Sequence, residues 1–401
     1  RTRHAEIQII EQGKELTMIE QPKNFGFGED ETMLRDSAKK FFSDHCSADK
    51  LHRQVAGNPD IHRNIECIWD KGLWQQITEL GWTAACVPEA AGGIGTPLVA
   101  ALALAEEAGR AAFPSPLIST FNTTFVLREC NSAAANDVLA EIAGGKPMSL
   151  AINNQQGSWE PTDTDVSIDK GQLNGTAWFV QDARKAEGLV VSARSAAGVG
   201  LYYVAADAAG VAIAADGIID LTRDQAHISF TGVTAVEVAA PGAGDVALAY
   251  ALPAIQAVIA ADMVGAGEWL LQTTVEYANT RVQFDRPLGF FQAVKHPLVN
   301  VMLDIDRAKS LAYSAACAID SDPERQEWAN TVKLAHMAKA NASDMAVFAS
   351  SRAVQFHGGI GFTWECYVHL FFKRQMHNQM LFGDARYHRA ILADMLIGQA
   401  A

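Results

Sequence analysis

This chain of 401 residues has no paired cysteines. Cys46, Cys67, Cys86, Cys130, Cys317 and Cys366 are scattered, with no CxxC and no Cys/His grouping at zinc spacing. A disulfide framework and a zinc module are thereby excluded, and the residues read as reduced, mostly buried thiols of a cytoplasmic protein. An HExxH motif is missing too, so the histidines carry no metal signature. Basic charge is short: 32 Lys and Arg against 46 Asp and Glu leave a net charge of −14. That balance argues against nucleic acid or an anionic membrane as a general partner, although local arginines and helix N-termini can still hold a phosphate. No stretch makes a good membrane span. The most apolar one, 252–271, contains Gln256, Asp262 and Glu268 and reads as a buried amphipathic helix. The opening RTRHAEIQIIEQGKEL lacks the apolar segment of a signal peptide. Met18 reads as a natural start, so residues 1–17 are set aside as an extension.

What is present is a compact globular composition, 49% hydrophobic and 19% charged, long enough for two or three domains. Residues 18–145 carry helical periodicity. In DETMLRDSAKKFFSDHC, Met33, Leu34, Ala38, Phe41 and Phe42 share one side and Asp30 is a candidate N-cap. PLVAALALAEEAGR is a strong helix former, and GGIG at 92–95 reads as a structural loop. Residues 146–244 change character. Short β-branched and aromatic segments such as GLVVSAR, GLYYVAA and HISFTGV are punctuated by Gly, Asn and Asp, which predicts an antiparallel β domain without helical crossovers. Residues 245–401 return to helical periodicity over roughly 248–281, 291–319, 324–357 and 365–397, predicting a four-helix bundle.

Two motifs stand out. RVQFDRPLGFFQ runs from Arg281 to Gln292, and AVQFHGGIGFTWE follows about seventy residues later. A guanidinium offers forked, charge-assisted donors suited to a pyrophosphate, an amide both donates and accepts, and paired glycines let a backbone approach a ligand. Taken singly, Arg281 reads as a solvated arginine and GGIG as a helix stop. In this order and spacing the two segments resemble the flavin-contacting segments of the acyl-CoA dehydrogenase family, and the likeness extends from about Phe25 to Met395. The resemblance implies that Arg281, Phe284 and Gln292 reach across a subunit interface to the FAD of a neighbouring chain, and that Gln355, Gly358 and Gly359 help hold the same dinucleotide. It also implies that Trp178, in LNGTAWFVQDA, packs against the isoalloxazine ring; as a residue alone, Trp178 reads equally well as a core tryptophan.

The departures from the family pattern are specific. Asp285 stands where the family has glycine. Val180 takes the place of a Thr or Ser that bonds flavin N5, and AINNQQGSWEPT replaces the family's Thr-Glu-Pro loop. The family's catalytic glutamate corresponds to Phe382 or, in a smaller group, to Ile255; neither is acidic. Asp262, within an apolar helix seven residues past Ile255, is the remaining candidate base, with a paired structural carboxylate as its alternative reading. Asp384 reads as the N-cap of the last helix. Glu268 and Glu276 read as a solvated face, and most histidines as surface or interface residues, while His377 and Lys373 could meet a CoA phosphate.

The TWE after GGIG, the PSPL near Pro114 and the FGDARYHR ending are similar to bacterial members that act on steroid side chains, several of which are heterotetramers with one subunit type lacking the base. Three functions follow from the resemblance. The first is an active FAD-dependent subunit that converts an acyl-CoA to a trans-2-enoyl-CoA and passes electrons to electron-transfer flavoprotein. The second is a non-catalytic subunit, in a tetramer with a homologous chain, that completes the other chain's FAD site. The third is a different flavin-dependent oxidation on the same fold.

Overall fold

The computed structural model describes residues 23–56 and 67–398. The proposed extension and the start at Met18 lie outside them. Six helices come first: α1 (Glu29–His45), α2 (Ala48–Ala56), α3 (Lys71–Glu79), α4 (Leu98–Arg110), α5 (Leu117–Arg128) and α6 (Ala133–Ala143). Asp30 does not cap α1, contrary to expectation. The N-cap is Gly28, two residues earlier, and its N–H donates to the Glu31 carboxylate at 2.8 Å. Asp30 then sits in the first turn, where its charge suits the helix dipole.

Eight strands follow: β1 (Met148–Ala151), β2 (Val166–Asp169), β3 (Gln172–Gln181), β4 (Gly188–Ser195), β5 (Gly198–Ala205), β6 (Val211–Ala215), β7 (Gln225–Thr234) and β8 (Val236–Ala239). They form one sheet in the order β6-β7-β3-β2-β4-β5-β8, with β1 alongside β4. The expectation of an antiparallel domain is corrected to a mixed one, because β1 and β2 both meet β4 in parallel. The reason lies in the 152–165 loop. It lets the chain return as β2 along the same edge of β4 that β1 occupies, β1 against 188–191 and β2 at Arg194, a topology that strand composition does not encode.

The last region opens with α7 (Gly244–Thr280), crosses a small hairpin of β9 (Val282–Gln283) and β10 (Arg286–Pro287), and continues as α8 (Gln292–Ser321), α9 (Trp328–His357), α10 (Val368–Asn378) and α11 (Ala385–Ile397). The fourth periodic run is therefore two helices and not one. The chain turns at 379–384, where Phe382 and Gly383 have φ of 52° and 105°. A Cβ at Gly383 would strike the Tyr387 and His388 rings. Asp384 caps α11 as expected, accepting from the Tyr387 N–H at 2.7 Å. Buried Lys339 holds the turn from behind, donating to the carbonyls of Gln379 (3.0 Å) and Gly383 (2.7 Å) and to Ser343 Oγ (3.1 Å). Burial pushes its pKa down to about 7.

Helix α7 is long and apolar enough to cross a membrane by composition, but most of it is buried within the fold. It is apolar on nearly all sides because α4, α5, α8 and α9 surround it. Its backbone meets α4 closely through Gly109 and Gly265. A Cβ on either would fall 2.0 Å or less from a carbonyl oxygen of the other helix. This α4–α7 seam joins the first helical region to the last in one hydrophobic core, while the sheet has a core of its own.

Candidate functional site

A cavity of about 540 Å³ opens where the sheet meets the helices. Helix α7 contributes Ile255, the 379–384 turn contributes Phe382, strand β3 contributes Phe179 and Gln181, and the 152–165 loop contributes Trp159 and Glu160. The two positions where the family resemblance places its base thus line the same cavity, and both side chains are apolar. Glu160 is the one carboxylate among the described residues lining the cavity, and its Oε1 accepts from Tyr387 Oη at 3.0 Å.

Asp262 does not line this cavity; it is fully buried beside it. Its Oδ1 accepts from Arg374 Nε (3.0 Å) and Asn378 Nδ2 (2.6 Å), and its Oδ2 from Arg374 Nη2 (2.5 Å) and lies 3.1 Å from Arg223 Nη2. Burial alone would raise its pKa. The charges of Arg223 and Arg374, with the hydrogen bonds from Arg374 and Asn378, outweigh it and hold the carboxyl below the usual range. A catalytic base needs a raised pKa and a path to substrate, and Asp262 has neither. The geometry speaks for the structural reading: the carboxylate ties α7 to α10 and, through Arg223, to the loop before β7.

Trp178 also lies off the cavity. Its indole stacks on His227, centroids 5.2 Å apart and planes at 24°. The aromatic of β3 that lines the cavity is Phe179, at φ 56°, where the β3–β7 register shifts between Ala177 and Val180. The bulge breaks the two-residue alternation, so counting along the strand picks the wrong neighbour. Gln181 was likewise missed. Its Oε1 takes a hydrogen bond from His377 Nε2 at 2.8 Å, and its Nε2 donates to Gln225 Oε1 (2.8 Å) and the Phe179 carbonyl (3.0 Å). Burial pushes the His377 pKa down to about 4, so at neutral pH the ring is uncharged, and its Nε2 is engaged by Gln181. This bridge links the sheet to α10. The 152–165 loop is tied down similarly: Trp159 Nε1 donates to the Met380 carbonyl at 3.1 Å and its ring packs 5.0 Å from Tyr387.

The motif residues gather elsewhere. Arg281, just past the end of α7, is exposed, as are Gln292 and Gln355, and Phe284 is 87% exposed. Phe284 and Asp285 form the two-residue turn of the β9–β10 hairpin with φ of 55° and 60°. A turn with both central residues left-handed explains why glycine suits position 285, and why Asp, which tolerates that conformation, can replace it. Stacking of Tyr277 on His357, centroids 4.4 Å apart, sets the end of α7 against the end of α9, so Arg281 and the 355–359 segment lie at the same end of the bundle. Gly358, at φ 65°, and Gly359 have no atom within 4 Å of where a Cβ would sit. Packing within this chain does not demand glycine at 359. The open space leaves the backbone approachable by another molecule.

Arg281 lies twenty-six residues beyond Ile255 on the same helix axis, roughly 39 Å at 1.5 Å per residue. The exposed arm is therefore well separated from the chain's own cavity. The two halves suit a flavin dinucleotide differently. Arm and glycine segment fit: solvent-facing forked donors, an amide, an unpacked aromatic and an open backbone. The chain's own cleft fits poorly, because Gln181 and His377, which line it together with Phe179, are already hydrogen-bonded to each other. Among the described residues no cluster of His, Cys, Asp or Glu could hold a metal.

The two helical regions match family models: residues 28–146 the acyl-CoA dehydrogenase N-terminal domain and residues 244–397 the acyl-CoA dehydrogenase C-terminal domain. The chain belongs to the acyl-CoA dehydrogenase family, an oxidoreductase family whose members bind FAD. It is 30% identical to the acyl-CoA dehydrogenase IpdE2 of Mycobacterium tuberculosis over 86% of this chain and 91% of that protein. Among solved structures, a Tcur3481-Tcur3483 steroid ACAD variant superposes with a TM-score of 0.80 at 27% identity, covering 92% of this chain and 98% of that one. The ChsE4-ChsE5 complex from Mycobacterium tuberculosis shares the fold, with a TM-score of 0.80 at 22% identity over 94% and 100% of the two chains.

Proposed function

We propose that this chain is the partner subunit of a heteromeric acyl-CoA dehydrogenase: it completes the FAD site of a homologous catalytic chain and does not itself take the α-proton. The observation that carries this reading is that Ile255 and Phe382 line the same cavity, where neither can act as a base. Asp262, the substitute candidate, is held as an ion by Arg374 and Arg223. Two similar structures, the Tcur3481-Tcur3483 steroid ACAD and the ChsE4-ChsE5 complex, each pair two named components, which supports a bulky acyl-CoA as the substrate of the whole enzyme.

In this reading Arg281 meets the pyrophosphate, Gln292 and Gln355 the polar edge of the dinucleotide, and Phe284 packs against it, with Gly358 and Gly359 giving it room. FAD, when bound, supplies the hydride acceptor for α,β-dehydrogenation in the catalytic chain, with electrons leaving to electron-transfer flavoprotein in the cytoplasm. The chain's own residues bind and orient; none moves a proton from substrate.

The test is flavin absorbance after expression alone and after co-expression with a homologous chain that carries a glutamate matching Ile255 or Phe382. The expected outcome is flavin only in the co-purified assembly. There Arg281→Ala removes a charge-assisted contact worth about 1.5–3 kcal/mol, so flavin content falls while the assembly stays folded. A lone chain that holds flavin and is bleached by an acyl-CoA is itself a dehydrogenase, and one that holds flavin without bleaching performs another oxidation; either result defeats the proposal.

A further inference from the structure

Helix α5 carries a row of buried polar residues, and all but one are accounted for within the chain. Ser119 Oγ donates to the Pro116 carbonyl at 2.9 Å, Thr123 Oγ1 to Ser119 O at 2.8 Å and Thr124 Oγ1 to Thr120 O at 2.9 Å, while Thr120 Oγ1 accepts from the Met148 N–H at 3.2 Å. The exception is Asn122. It is 6% exposed, its Oδ1 has no partner, and its amide makes no hydrogen bond with any described residue. Asn122 lines the cavity between sheet and helices, whose walls are otherwise mainly apolar, among them Leu150, Leu252, Met380 and Leu381. The cavity also has a direction. Ile219 and Met380 on its lining are 66% and 49% exposed, whereas Asn122, like Leu248 and Ile255, belongs to the buried part of the lining. Buried polar groups are rarely left unpaired, because an unmade hydrogen bond forfeits the whole desolvation cost. About 540 Å³ lies within the usual range of roughly 300–1,000 Å³ for small-molecule sites.

We infer that the cavity is a ligand site in its own right: it takes a mainly hydrocarbon molecule with a hydroxyl at its buried end, and Asn122 is the residue that selects the hydroxyl. A hydroxyl both donates and accepts, so it matches either end of the amide. The same tail can arrive as a free acid or as the acyl part of a thioester. This inference deepens the partner-subunit reading, in which the chain's own cleft is free of flavin, and makes that cleft a place where ligand is bound without being turned over.

The experiment is calorimetric titration of the purified assembly with ω-hydroxydecanoate and with decanoate, each as the free acid and as the CoA thioester, for the wild type and for Asn122→Leu in this chain alone. The ω-hydroxy ligand is expected to bind roughly three- to tenfold more tightly to the wild type, and Asn122→Leu to abolish or reverse that preference. Tighter binding of the thioester pair assigns the ligand to an acyl-CoA, and tighter binding of the acids assigns it to a free lipid; both support the site. Equal Kd values for the hydroxylated and plain chains, no binding of either, or a preference that survives in Asn122→Leu overturns it and leaves Asn122 bridged by water. Should Asn122→Leu fail to fold, the wild-type comparison decides alone. Flavin in the lone chain would overturn the partner-subunit reading and leave this comparison standing.

Discussion

Asp262 shows how one residue can satisfy a sequence criterion and fail a structural one. It is a carboxylate inside an apolar helix, the setting in which a raised pKa arises, yet two guanidinium groups reach it from α10 and from the loop before β7. The sign of its pKa shift is thereby reversed. Asp262→Asn keeps the size and removes the charge, leaving Arg374 and Arg223 buried without their counter-ion. The expected cost is about 3–5 kcal/mol, read as a lower midpoint in urea unfolding, with flavin content of the surviving assembly unchanged. A variant of unaltered stability whose assembly no longer reduces flavin would restore the residue as the base. Its acidity and its apolar neighbours were legible in the sequence. The partners were not, since Arg223 and Arg374 are distant in the chain and only folding makes them neighbours.

At the scale of elements, the α4–α7 seam depends on two glycines. The sequence offers no cue to them, because a glycine within an alanine-rich helix reads only as a small loss of propensity. In the fold, a Cβ at Gly265 would lie 1.8 Å from the Glu106 carbonyl oxygen, so the helices would have to separate. Gly265→Ala is expected to destabilise by at least about 1–3 kcal/mol, lowering the melting temperature and the soluble yield, although alanine is the better helix former. An unchanged melting temperature would show that the helices can part freely. The 379–384 turn makes a similar point. Periodicity carried across it as one helix, and only Gly383 at φ 105°, with Lys339 behind it, breaks that helix and turns Phe382 toward the cavity.

For the whole molecule, stability is expected to depend on pH through histidines buried as neutral rings. Burial lowers His336 and His369 to about 4 and, together with Lys339, His388 to about 3. In the unfolded chain each titrates near 6.5. Between these values the unfolded state binds more protons, so stability is complete above about pH 6.5 and falls as pH drops toward 4. The slope is up to about 1.4 kcal/mol per pH unit for each ring. Urea midpoints measured from pH 7.5 to 4.5 should fall steadily, and a flat profile would mean that the rings are charged in the fold. From the sequence most histidines are expected at the surface or at an interface. His336, His369 and His388 are instead buried, the first on α9 and the others on α10 and α11, which both pack against α9.

The order of helical, strand-rich and helical regions, the paired motifs from Arg281 to Gln292 and from Gln355 to Gly359, and the missing glutamate are legible along the chain. These are local properties: hydrophobic period, turn chemistry and residue type at a fixed spacing. Folding is what brings Ile255 and Phe382 to one cavity, puts Phe179 and not Trp178 on its lining, holds Asp262 as an ion between two arginines, and leaves Asn122 Oδ1 without a partner. Each of these depends on a bulge, a turn or a crossing between segments far apart in the chain, where the relevant energy is that of contact and has no period along the sequence.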